Sequence, residues 1–525
     1  LFFPEQRPFF TEGTDVFSLT PRSGVNTDRP QLLYTRRIGR SPQRTAFVPT
    51  SAFDDAGDDG TVYTDVPQQS TILGAAKLSG RVGRFSVGLL NATTRAETAR
   101  FAAFDASTNQ VADGRALVEP LSNYLAGRTR GTFGTTVVGG FLTSVLRDTS
   151  DPDIDAAFAT TATVAGLDVE QPVGDQWLLT AQTAGSATTG SASATADLQQ
   201  AFPRLLQRPD APHLGLDTTR TSLTGWTAEV NAVKIDGAHW TGGLQVAATS
   251  PGFDANALGF QRRADLASVD ARATYTEPSA RGLFQSWSAS LLGGSGWTFG
   301  GERVGGLVSA DLSGQLRSFW DLGLSAEFEP RRDDDRLTRG GPLARQDASS
   351  SLSLRLSTDA RRSVVGFASG QHLRSELGRV RTAIEGGVEL RPSDALVVSL
   401  EPSVVVEGDP RQYVTALADP AAQATFGTRY VFGQLDATSV ALAARVDWTF
   451  MPRLSLQLFV RPFASRGQFS AFKEANRPGA LRFLEYGTER GRVTENADGS
   501  TRIDPGDGGA AFTLARDFTV RSLQG

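Results

Sequence analysis

The sequence predicts an all-β fold, a large antiparallel transmembrane β-barrel of about 20 to 24 strands with an internal plug, and three observations predict it. Apolar residues recur at every second position in segments of about ten residues. Short turns and long polar stretches join these segments. No stretch reaches the 18 or so uninterrupted apolar residues of a membrane helix, and the best candidate, Thr135 to Leu146, is broken by Gly139 and Gly140.

The alternation is explicit. Between 440 and 450 one face carries Val440, Leu442, Ala444, Val446, Trp448 and Phe450, and the other carries Arg445, Asp447 and Thr449. Between 320 and 329, Trp320, Leu322, Leu324, Ala326 and Phe328 oppose Asp321, Gly323, Ser325, Glu327 and Glu329. Leu352, Leu354 and Leu356 alternate with Ser353 and Arg355, and Leu454, Leu456, Leu458 and Val460 with Ser455, Gln457 and Arg461. A two-residue period means strands, and about ten residues let a tilted strand cross a bilayer.

Short turns are expected at Asp359 to Arg362, Arg391 to Asp394 and Met451 to Arg453, and long loops at Arg331 to Gln346, Asp409 to Gln423 and Phe469 to Gly509. One rim of tight turns and one of long loops is the plan of an outer-membrane barrel. Trp226, Trp240, Trp297, Trp320, Trp448, Phe450 and Phe463 fall near expected strand ends, where an interfacial girdle needs them. A propeller or solenoid would show a fixed repeat, which this chain lacks, and a sandwich of some twenty strands would split into several domains.

The composition fits one continuous architecture. No long Pro-rich or Ser-rich linker divides the 525 residues, so we expect residues 1–60 as an N-terminal plug or linker and 61–525 as the barrel. The 52 basic and 57 acidic residues give a net charge of −5, with no basic field to gather nucleic acid, and the expected partners are outer-membrane lipid and other envelope proteins or lipoproteins. The absence of Cys excludes disulfides and thiolate metal sites and suits a chain that crosses an oxidising periplasm. Leu1 is followed by no signal-peptide pattern, so export and an outer-membrane location in a Gram-negative bacterium are inferred from the strands alone.

Little in the sequence speaks for catalysis, and the chain is read as a non-enzyme without cofactor. His213, His239 and His372 form no zinc-binding spacing, and neither a nucleophile elbow nor a phosphate-binding loop is present. Asp54, Asp55, Asp58 and Asp59, and Asp151, Asp153 and Asp155, have oxygen ligands for calcium but match no EF-hand, so solvated loop charge is the simpler reading. Asp333 to Asp335, flanked by Arg331, Arg332 and Arg336, reads as a self-paired loop tip.

The alternation also predicts a lumen. Arg303, Asp311, Arg317, Asp321, Glu327, Arg355, Arg379, Arg381, Glu385, Glu389, Glu401, Arg445, Asp447 and Arg461 all take the face opposite the apolar rows. Turned to lipid, an Arg would cost about 2 to 4 kcal/mol at the midplane, so these groups are expected to face water, a plug or one another. A lumen this wide needs a filler, and the Phe-rich start (Phe2, Phe3, Phe9 and Phe10) and the segment Ser191 to Thr219 are the candidates.

The opening Leu1 to Gly13, then Leu33-Tyr34-Thr35-Arg36-Arg37-Ile38-Gly39-Arg40, Gly74 to Gly80, Phe85-Ser86-Val87-Gly88, Gln207 to Ala211, Ser250-Pro251-Gly252-Phe253 and Arg429-Tyr430-Val431-Phe432 resemble, in order, the C-terminal outer-membrane barrel of a bacterial family known only as a domain of unknown function. Members of that family usually carry a signal peptide and an N-terminal module similar to family 9 carbohydrate-binding modules. They run on past the stretch matching Asp517 to Leu523 into a further hairpin. The resemblance implies about two more strands than the roughly twenty that the alternation yields, and it supplies no activity. The barrel itself is read as a channel or exporter for a polar substrate, saccharide-related in view of the module its relatives carry. A scaffold subunit of a multi-protein outer-membrane complex is the alternative, and a barrel-borne hydrolase the third reading.

Overall fold

The computed structural model describes residues 5–12, 15–17, 30–44, 61–105 and 110–524; Phe2, Phe3 and the Asp54 to Asp59 cluster lie outside them. Strands make up 62% of the chain, and three short α-helices occur among the described residues. The chain divides into two compact units, one of residues 1–207, 213–233 and 245–268, the other of 208–212, 234–244 and 269–525.

In the first unit six strands form an antiparallel meander, each paired with the next: Ile72–Val82, Phe85–Thr94, Ser122–Phe133, Thr136–Arg147, Thr161–Val173 and Trp177–Thr189. The stretch that most resembled a membrane helix is therefore a central strand. Gly139 and Gly140 weaken a helix, while its β-branched and aromatic residues favour a pleated surface. Tight turns close the hairpins at 83–84 and 134–135, where Gly83 and Gly134 take φ of +59° and +63°. One face exposes Val87, Leu89, Leu142, Leu146 and Leu167, and the alternate residues are buried.

That buried face is partly apolar. Leu90, Ala92, Tyr124, Ala126 and Val145 form one cluster with Phe10, Phe17 and Ile38 of the N-terminal segment and Leu258. The segment contains a single helical turn, Pro8–Thr11, whose Pro sits at the start where no N–H is needed. At the other end of the hairpin pair, Glu97–Asp105 and Gln110–Glu119 continue as strands and pair with Thr61–Asp65 in a separate three-stranded sheet. Within the region expected as an inward loop, Ala192–Gln200 is a helix, capped by the Ser191 hydroxyl and buried at Ala194, Thr195, Ala196 and Gln199.

In the second unit Phe284–Trp297, Arg303–Leu316, Asp321–Glu329, Ser349–Ser357, Val364–Ser375, Val380–Ser393, Leu396–Ala418, Thr428–Met451, Leu454–Glu474 and Asp517–Gln524 pair in succession. The turns are tighter than expected: Arg391 is still in a strand, and only Pro452 and Arg453 separate Met451 from Leu454. All three expected long loops are strand for part of their length, and in the first Arg332–Asp334 pairs with Ala344–Gln346. Residues 409–418 and 469–474 extend the sheet because Tyr413, Leu417, Phe469 and Phe472 have aromatic and aliphatic partners at that end. Towards the end of the described residues lie two strands, Phe512–Leu514 and Asp517–Gln524.

Candidate functional site

Directly paired residues of an antiparallel ladder share a face, so the register assigns each strand residue of the second unit's ladder to one side. Asp311 pairs with Ser325, Arg355 with Gly323 and Ser369, Glu385 with Ser369 and Ser403, and Arg445 with Ser399. Followed strand by strand, Arg303, Asp311, Asp321, Glu327, Arg355, Arg381, Glu385, Glu389, Glu401, Arg445, Asp447 and Arg461 fall on a single face. Phe463, expected in a girdle, shares it, paired with Ala441. The opposite face exposes Val308, Leu324, Leu352, Leu354, Ile384, Leu400 and Leu456.

Two of the fourteen predicted residues lie outside the strands. Arg317 stands in the turn after Leu316, its N–H donating to Leu283 O, because the chain reverses before reaching it. Arg379 precedes Val380 and reaches Glu407 at 2.7 Å and Asp409 at 3.6 Å. The charges of this face engage polar neighbours: Arg445 pairs with Asp447 at 2.6 Å, Arg391 with Glu389 at 2.5 Å, and Arg381 donates to Gln371 at 2.9 Å. Asp311 accepts from Ser325 at 2.7 Å, and Arg355 lies over the Phe367 ring at 5.0 Å. Such a face offers balanced, locally neutralised hydrogen-bonding groups rather than a field of one sign.

At the long-loop end the same strands carry a second constellation that sequence reasoning missed. Arg429, about 1% exposed, donates to Asp419 from Nε at 3.0 Å and from Nη2 at 2.7 Å, to Asp507 at 2.9 Å, and to Glu474. Arg490 donates to Glu474 at 2.7 Å and also pairs with Asp507, while Tyr486 Oη donates to Glu474 at 2.8 Å. Five charged groups from two strands and two loops thus close a network over the clusters around Phe432 and Phe472. The Arg429 hydrogen bond holds the Asp419 carboxyl below its ordinary range. Burial opposes ionisation of Asp507, yet its hydrogen bonds with Arg429 prevail and lower it too. Burial and the adjacent Glu474 carboxylate push the Tyr486 hydroxyl well up.

A cavity of about 440 Å³ borders this network, walled by Asp419, Arg429, Leu417, Phe512 and the backbone of 508–511. Nearby, Arg411 binds the carbonyls of Arg345 and Leu481, both at 2.9 Å, and Asp347 at 2.9 Å, tying two loops to one strand. In the sequence these residues are isolated charges inside apparent loops, so only an Arg-Tyr-Val-Phe run pointed to them.

A family profile described as a domain of unknown function, DUF5916, matches residues 1–157 and 186–499. The chain belongs to this family. The DUF5916 match takes in the N-terminal segment, most of the polar-faced strands, and Asp419, Arg429, Glu474 and Arg490 of the network. Among solved structures this DUF5916 chain is similar to an anion-selective porin from Comamonas acidovorans, at 9% identity over 65% of this chain and 91% of the porin, with a TM-score of 0.27. A comparison with curated proteins found no match.

The remaining chemical candidates of the DUF5916 chain have structural partners. His213 Nε2 lies 2.9 Å from Asp265, His239 Nδ1 2.9 Å from Thr276 O with its ring stacked on Tyr275, and His372 Nδ1 3.0 Å from Thr382 Oγ1. Asp151 caps the helix Pro152–Ala157, accepting from the N–H of Asp153 and Ile154. In the Asp333 to Asp335 triplet, Asp333 lies 3.5 Å from Arg345, and Asp334 accepts the N–H groups of Arg336 and Leu337. Among the described residues no group of three His, Asp or Glu side chains is arranged to hold a metal.

Proposed function

We propose that the sheet closes into an outer-membrane β-barrel that passes or exports a neutral polar solute. The observation that carries this reading is the two-faced sheet of the second unit, with an exposed aliphatic row backed by a face of matched charges. Leu352 and Leu354 are more than half exposed, which a water-facing surface repeats over so many strands only at a large cost, while acyl chains accept it. Aromatic residues beside the tight turns agree: Tyr275 contacts Trp240 and Trp287, and Trp448 contacts Phe450. The fourteen predicted residues comprise seven Arg and seven acids, which argues for weak ion selectivity and for hydroxylic cargo such as a saccharide. The carbohydrate-binding module that the family resemblance implies points the same way.

Two measurements test the reading. Outer-membrane fractions should contain a species that migrates faster on gels when unheated, and liposomes containing the protein should swell in neutral saccharides with a reversal potential near zero in a salt gradient. A water-soluble species without detergent would remove the proposal. The scaffold reading draws on the network around Arg429, which makes the long-loop end a rigid platform; stoichiometric companions in native-membrane purification would favour it. A hydrolase would be established by turnover of lipid or peptide that is lost on replacing His239 or His372.

A further inference from the structure

We infer that the cavity beside Arg429 is a capture site for a single neutral saccharide ring at the long-loop end of the second unit. The inference rests on the hydroxylic cargo proposed above and names where such a cargo is first held. Its volume of about 440 Å³ falls within the roughly 300 to 1,000 Å³ of small-molecule sites. Two segments supply the lining, Leu417 to Ala421 and Gly508 to Phe512. Both are fixed by one ion network. Arg429 donates to Asp419 on the first segment, and through Glu474 and Tyr486 it is linked to Phe512 on the second, whose ring meets Tyr486 edge to face at 6.0 Å. It also holds Asp507, which accepts the Gly509 N–H at 3.1 Å. A buried ion network stabilises a fold little better than apolar packing, so one that positions both linings of a cavity is explained by the geometry it sets.

The chemistry of the lining selects the ligand. Asp419 is the only carboxylate among the lining residues. Arg429 takes its Oδ2 and the Ala421 N–H its Oδ1, at 2.9 Å, which leaves a lone-pair position for a hydroxyl donor. Because the Arg429 donors are turned to Asp419, Asp507 and Glu474, an anion would face a carboxylate beside a committed guanidinium, and a cation would find that carboxylate already paired. Gly508, Ala510 and Ala511 add backbone N–H and C=O groups that bond to no other described residue. A neutral ring with several hydroxyls can engage all of these, while Leu417 and Phe512 receive its C–H surface. An extended peptide fits less well. Gly506 and Gly508 take φ of +73° and +88°, which bends the chain just before the open backbone and offers no straight edge for an added strand.

Saturation-transfer NMR on the full-length protein, dispersed in detergent or buffer, tests the site with glucose, galactose, mannose and N-acetylglucosamine. Glucosamine, glucose 6-phosphate and a blocked alanine tripeptide are the comparators. We expect at least one neutral sugar to bind more tightly than every comparator. Ala421→Trp and Ala511→Trp each put a large ring on the lining, and at least one of them should weaken that binding by roughly tenfold or more. Binding of no neutral sugar, a comparator that binds more tightly, or unchanged binding in both variants overturns the site. A second readout needs no variant: saturating sugar should slow hydrogen exchange of the native chain at 508–511, and slowing only elsewhere also overturns it. Liposome swelling on the same preparations separates the two readings. Binding without swelling keeps the site and removes the channel, whereas swelling without binding removes the site alone.

Discussion

Arg128 and Asp168 pair across an intervening strand, Nη2 to Oδ2 at 3.0 Å, directly above Gly139, where a Cβ would stand 2.5 Å from the Arg128 Nη1 and 2.6 Å from the Asp168 Oδ1. Both side chains are almost wholly buried. Arg130 and Glu170 repeat the span one step along the strands at 2.7 Å. Three strands are thus stapled through the one residue type that leaves room.

Removing one member should be far worse than removing both. Arg128→Met leaves the Asp168 charge buried and is expected to cost about 3 to 5 kcal/mol, while Arg128→Met with Asp168→Leu should recover most of it. Urea titrations of folding into lipid vesicles measure both. A double variant as unstable as the single one would mean that the pair is not a closed unit.

The Arg429 network should tolerate no substitute. Arg429→Lys keeps the charge but cannot donate to Asp419, Asp507 and Glu474 together, so hydrogen exchange in 475–516 is expected to accelerate while the strands below keep their protection. Gly509→Ala should act alike, because its Cβ would lie 2.3 Å from Asp419 Oδ2.

Faces are tested by moving one charge one residue. Leu354→Arg is expected to impair insertion into vesicles by about 2 to 4 kcal/mol, and Ser353→Arg, its neighbour on the polar face, to fold nearly normally. Equal effects would mean that neither face meets lipid.

The N-terminal segment carries a pH signature at Glu5. Burial raises this carboxyl, but hydrogen bonds from Arg7 and Thr35 outweigh it and lower it from 4.5 to about 2. A lowered carboxyl stabilises fully above its unfolded value, so the contribution should be complete above pH 4.5, decline as pH falls from there, and vanish below about 2. Proteolysis of the N-terminal segment should be unchanged between pH 7 and 5 and faster at pH 3. Glu5→Gln should flatten this profile.

Strand period and face were readable from Leu352 to Arg355 alone, since two residues per repeat and the cost of ions in lipid leave one arrangement. Arg317 was misassigned because alternation has no punctuation of its own: the turn at 317–320 lacks a strong Pro or Gly signal, and periodicity ran one residue too far. The extension of Leu396–Ala418 was illegible for another reason. Its Asp409-Pro410-Arg411 run has loop composition, and the partners that satisfy it, Asp347, Leu481 and Phe483, lie 60 or more positions away. The Arg429 network has the same character, built from charges whose only relation is spatial. The burial of Phe10 was half legible, for an aromatic ring asks for cover and nothing in the sequence named Leu90, Tyr124 and Val145 as the residues that give it.

The lengths of three strands have a consequence for reach. In Leu396–Ala418, Thr428–Met451 and Leu454–Glu474 the aliphatic row ends near Val406, Val440 and Ala464, yet pairing continues for about ten residues more, roughly 30 Å at the rise of a strand. With the aliphatic band sunk in a bilayer, these strands become a stiff turret rising clear of the headgroups. Whatever docks on that summit would meet paired backbone and the Arg429 network, and no lipid.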